Sequence, residues 1–152
     1  MIHMGSLLIP IAVLLPNLLF FGKPPRNVPK DTNASENGVL MAAEGIGRMG
    51  TLVLPVFSTI HIDKTFEVLS LMGMFIFQLF YYVGWIRYFR EKREYHLLFK
   101  PMFGLPVPLA VSPILYFLSA SVVLQSNLLF LSSLILAIGH IPLSLISYRS
   151  LK

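Results

Sequence analysis

Five stretches of this chain are apolar over 16 to 23 residues, and they constrain its fold more than any other feature. A helix crossing a bilayer needs about 20 mostly apolar residues at about 1.5 Å each. Residues 6–21, 38–60, 66–88, 105–124 and 128–148 meet that requirement, the first only narrowly. Charged residues are only 12% of the sequence and mean hydropathy is +0.73. A soluble domain carries about 25% charged residues, so too little polar chain remains for a separate soluble domain. The expectation is an all-α polytopic membrane protein, one transmembrane domain over residues 1–152 built as a bundle of five transmembrane helices.

The first stretch also has the length of a signal peptide. Its leading residues MIHMGS hold no Lys or Arg, and no small-x-small cleavage site follows, so an uncleaved span is expected. The connections then fix the orientation. Lys23, Arg26 and Lys30 lie between the first two spans, and Arg87, Arg90, Lys92, Arg93 and Lys100 follow the third. Arg149 and Lys152 close the chain, whereas the second connection holds only Lys64 and the fourth, Gln125-Ser126-Asn127, holds no charge. Ten of the twelve Lys and Arg residues therefore fall on one side. By the positive-inside rule the N-terminus is outside and the C-terminus cytoplasmic. The sequon Asn33-Ala34-Ser35 then lies on the cytoplasmic side, which argues against glycosylation. The net charge of +5 is a topology signal and implies no nucleic acid. A bacterial inner membrane is the expected host.

Within the second span sit Glu44 and Arg48, four residues apart and in the favourable order for one helical face. A central Arg costs about 2.5–3.5 kcal/mol on insertion scales, so the pair must face protein or water. Two structural readings exist: mutual neutralisation tying helices together, or Arg48 snorkelling toward the cytoplasmic surface. The third is a site in which Arg48 binds an anionic group and Glu44 orients it or carries a proton. Ala43, Gly47 and Gly50 form an adjacent small-residue face suited to a neighbouring helix.

Asn17, Gln78 and His140 are the other polar groups at similar depth. With Glu44 and Arg48 they lie about 5 to 10 residues, roughly 8 to 15 Å, from the cytoplasmic ends of their helices. These five side chains are the candidate ligand-binding residues. Along the third span, Glu67, Leu71, Met74, Gln78, Tyr81 or Tyr82 and Trp85 share one side, a spacing typical of core packing. Glu67 is expected to be solvated near the outer surface. Trp85 and Tyr88 fall where an interfacial aromatic belt belongs. The basic, aromatic segment from Arg87 to Lys100 is expected to lie in the inner interface against anionic headgroups, or simply to set orientation.

Pro106, Pro108 and Pro113 predict an irregular inner half for the fourth helix. Gly139-His140-Ile141-Pro142 reads as a hinge in the fifth, with His140 or a water compensating the carbonyl of Ile138 that Pro142 frees.

No protease, esterase or phosphate-loop signature occurs, cysteine is absent, and one deep histidine with one deep carboxylate is too little for a metal centre. The sequence points to no cofactor. Length and five spans resemble the tryptophan-rich sensory proteins, but the single tryptophan, Trp85, extends that likeness no further. The leading expectation is binding, with transport as an extension, of a small-molecule or lipid-like ligand in a polar cavity on the cytoplasmic side. The alternatives are a membrane enzyme acting on a lipid, with His140 and Glu44 as acid–base groups, and an accessory subunit. A homo-oligomer or a membrane partner would meet the small-residue face.

Overall fold

The computed structural model describes residues 1–30 and 37–152, so the sequon at Asn33 lies outside the described residues. Among the described residues there are five α-helices and no β-strand. They are α1 (Met4–Gly22), α2 (Gly38–Val53), α3 (Thr65–Arg90), α4 (Pro108–Val123) and α5 (Asn127–Ser150). A 3₁₀ turn, Leu54–Phe57, continues α2, because Pro55 has no N–H to extend the α-helical ladder. Asn37 caps α2, its side chain accepting from the Val39 and Leu40 amides, and Ser126 caps α5 through the Leu129 amide.

Four of these elements are long and apolar enough to cross a membrane: α1, α2 with its 3₁₀ turn, α3 and α5. Large apolar side chains such as Ile46, Met49, Phe75 and Leu79 project outward from them, as lipid contact requires of an integral membrane protein. The fourth helix departs from the expected 105–124 span. It begins at Pro108, where a missing N–H costs nothing. The preceding residues fold as a turn closed by Met102 and Leu105, and Val107 is held in the left-handed region at φ 41°. The sixteen residues that remain span about 24 Å. Eleven of them are buried, so α4 is the axis of the bundle and its length is not set by lipid.

Helix α4 lies between α3 and α5. It reaches α1 through Tyr116, whose hydroxyl donates to the Ile9 carbonyl at 3.1 Å. Helix α2 packs along α5 through glycines. A Cβ on Gly47 would overlap the backbone of Leu136, and one on Gly139 would overlap Leu40 and Glu44. Helix α1 meets the turn after α2, where the His3 amide donates to the Val56 carbonyl, but touches α2 itself little. The two helices therefore part toward the opposite end of the bundle.

The connections sort into two ends. At one, the N-terminal residues join the second and fourth connections: the His61 amide donates to Val123, and Gln125 donates to Glu67. At the other, the first and third connections pair, Arg26 N donating to Arg93 O at 2.8 Å and Tyr95 N to Arg26 O at 3.1 Å. Arg87 holds this third connection by donating to the carbonyls of Leu97, Lys100 and Pro101. Burial raises the Tyr95 phenol above its ordinary value, opposed by the Ser147 hydroxyl of α5 beside it. The basic connections thus share one end with the C-terminal helix.

Two expectations for α3 fail. Glu67 is inaccessible, not solvated: its carboxylate accepts from the amides of Asp63 and Lys64, both at 2.9 Å, and from Gln125 at 2.6 Å. A carboxylate one turn into a helix can fold back on the preceding amides, and it is then covered by the loop it organises. Trp85 and Tyr88 are buried as well, so they form no lipid-facing belt. Trp85 packs edge to face with Phe20 and Tyr88 and stacks on Phe89, and Tyr88 packs edge to face with Phe89, in an internal aromatic cluster to which α1 contributes Phe20.

Candidate functional site

Glu44 and Arg48 lie six and ten residues into α2, about 9 and 15 Å from its start. Arg48 Nη2 donates to Glu44 Oε1 at 2.5 Å. His140 Nδ1 from α5 lies 2.8 Å from the same oxygen. The glycine contacts make this meeting geometric: with no side chain at Gly139, the α5 backbone rests on that of Glu44, and His140 is carried to the carboxylate. Arg48 remains 57% exposed along its side chain, against 22% for Glu44 and 25% for His140.

A cleft of about 460 Å³ lies beside this triad, where α1 and α2 part. Arg48 and His140 line one side, together with Thr51 and Ser144. Asn17 and Tyr81 line the other, and the remainder of the wall is apolar and aromatic, including Phe20, Trp85 and Phe117. Leu98 and Phe99 of the third connection also border it, so the cleft extends toward the basic end. A few polar groups on one rim of an otherwise apolar wall suit an amphiphile better than a fully polar solute.

Three of the five expected residues therefore converge, and Asn17 faces them across the cleft, donating to the Tyr81 hydroxyl at 2.9 Å and to the Val13 carbonyl. Gln78 does not join them. Pro16 has no N–H, which leaves the Ala12 carbonyl without its helical donor. Gln78 Nε2 and the Tyr82 hydroxyl both donate to that carbonyl, at 2.8 and 2.7 Å. A proline four residues after Ala12 was a readable sign of this need; which neighbouring helix would answer it was not.

Helix α5 runs unbroken through Pro142, Gly139 is a contact glycine, and the His140 ring turns to Glu44 and not to Ile138. The small-residue face expected to receive a partner is occupied within the chain, Gly47 by Leu136 and Gly50 by Ser132. Tyr81, Thr51 and Ser144 were not among the expected site residues. Their place at the cleft depends on helix rotation, which spacing alone does not fix.

No protein-family model, curated protein or solved structure matches this chain.

Proposed function

We propose that the protein binds a membrane-derived or membrane-partitioning amphiphile with one anionic group, holding the anion at Arg48 and the apolar body along the aromatic wall. The observation that carries this reading is the accessible Arg48 guanidinium at the edge of an apolar cleft. A guanidinium keeps its charge at every relevant pH and presents several donors in a planar fork, of which the carboxylate of Glu44 occupies one arm. Carboxylate, phosphate and sulfonate heads all match that fork. Glu44 orients the guanidinium, the Tyr81 hydroxyl, which accepts from Asn17, keeps its own hydrogen to donate opposite, and the basic end faces the cytoplasm of a bacterial inner membrane. Transport would extend binding if the cleft also opened toward the other end.

Mass spectrometry of small molecules that co-purify with wild type and with Arg48→Ala tests the assignment. An anionic amphiphile retained by wild type and depleted about tenfold or more in the variant supports it; one charge-assisted contact of 1.5–3 kcal/mol accounts for such a loss. Phospholipids and free amphiphilic acids separate by mass, so the source of the head group is read in the same experiment. Equal retention in a folded variant would make the pair structural.

The 2.8 Å contact between His140 and Glu44 favours a second reading, acid–base chemistry on a bound lipid. A turnover that ignores both His140→Ala and Glu44→Gln would remove it.

A further inference from the structure

Two nitrogen donors compete for one atom in this site. Arg48 Nη2 and His140 Nδ1 both address Glu44 Oε1, at 2.5 and 2.8 Å. An ionised carboxylate only accepts hydrogen bonds, so Nδ1 carries the hydrogen and the lone pair of a neutral His140 resides on Nε2. With the imidazole neutral, Glu44 and Arg48 cancel and the site has no net charge. An incoming anion then meets the guanidinium and its counter-charge together.

We propose that anion binding at Arg48 is coupled to the uptake of one proton by His140, which makes the cleft a proton-linked anion site. This rests on the reading of the cleft as an anionic-amphiphile site. Protonation at Nε2 turns the ring into an imidazolium, and Oε1 then faces two full cations. The carboxylate is shared between them, the triad carries one net positive charge, and the guanidinium is released toward the cleft. An uncompensated charge within a membrane protein is costly, so the state with both proton and anion, or with neither, is favoured over either alone. Coupling of this kind is reciprocal: the anion strengthens proton binding by the factor by which the proton strengthens anion binding.

The groups that face the imidazole are few. Helix α2 faces it with Glu44 and Arg48. Across the cleft α1 presents uncharged Asn17, α3 presents the Tyr81 phenol, and α4 presents the apolar Leu109, Ala110, Pro113 and Phe117. Helix α5 adds uncharged Ser144. A phenol titrates far above the range in which an imidazole does. The sign follows from one proton taken up with each anion: affinity for a permanently charged anion rises as pH falls, by up to about tenfold per pH unit.

Decyl sulfonate, ionised throughout this range, is titrated calorimetrically into the protein in a nonionic maltoside detergent between about pH 5 and about pH 8. Repeating the titration in buffers of different ionisation enthalpy counts protons. Uptake approaching one proton per sulfonate in the middle of the range, with tighter binding at low pH, is the expected result. His140→Gln, which retains a donor to Glu44 without titrating, should bind with no proton uptake. Saturable binding with no uptake at any pH overturns the coupling and leaves the anion site standing. No saturable binding at any pH overturns the anion site itself. The proton count on wild type decides the matter even if a variant does not fold.

Discussion

Gly139 of α5 rests on the main chain of Glu44 in α2: a methyl group at Gly139 would stand 2.8 Å from the Glu44 Cα and 2.6 Å from the Leu40 carbonyl oxygen. Both neighbours are helix backbone and cannot swing aside. Gly139→Ala should therefore push α2 from α5, at a cost of about 1–3 kcal/mol. Detergent-phase unfolding of the variant would measure it. The displacement also lengthens the contact between His140 and Glu44, so any pH dependence of anion binding should weaken in the same variant. An unchanged unfolding midpoint would mean that the helices are less close than described.

The Ala12 carbonyl gives a second prediction. Gln78→Leu with Tyr82→Phe removes both of its donors and should destabilise the fold by about 1–2 kcal/mol, the range for interhelical hydrogen bonds in membranes. Pro16→Ala restores an N–H four residues on, so the same double change should cost less in that background. The difference between the two costs, read as a double-mutant cycle, isolates the coupling. Equal costs in both backgrounds would dissociate the polar pair from the proline.

Glu67 organises the connection at the far end of the bundle from the basic loops. Glu67→Ala removes the acceptor for the Asp63 and Lys64 amides and for Gln125. Limited proteolysis within residues 58–64 should accelerate several-fold, with little change at the basic third connection. Glu67→Gln retains one acceptor oxygen and should fall between the two. Cleavage rates indistinguishable from wild type would show that the turn is held by other contacts.

The fold class was legible because span length and hydropathy are local properties. So was the segregation of Lys23, Arg26, Arg87, Arg90 and the other basic residues to one end, which the pairing of Arg26 with the 93–95 backbone reproduces. The convergence of Glu44 and Arg48 was also readable, since four residues along a helix form one face. Glu67 misled because a carboxylate near a span end is ordinarily solvated, and only the folded loop shows it enclosed. Trp85 and Tyr88 misled because an aromatic residue near a span end suits a headgroup belt and an internal cluster equally.

By itself, then, the sequence determined the all-helical, membrane-suited class, its charge asymmetry and the need for Glu44 and Arg48 to avoid lipid. Tertiary structure decided that His140 would meet Glu44 and that Gln78 would serve Ala12. It also placed the short α4 at the axis, with a cleft where α1 leaves α2. The reason is physical. Lipid is as apolar as a protein core, so helices such as α4 and α5 carry little pattern to mark which side faces inward. Rotation about the helix axis is then set by close packing, here by Gly47 and Gly139, and by the polar groups that must find partners in one another.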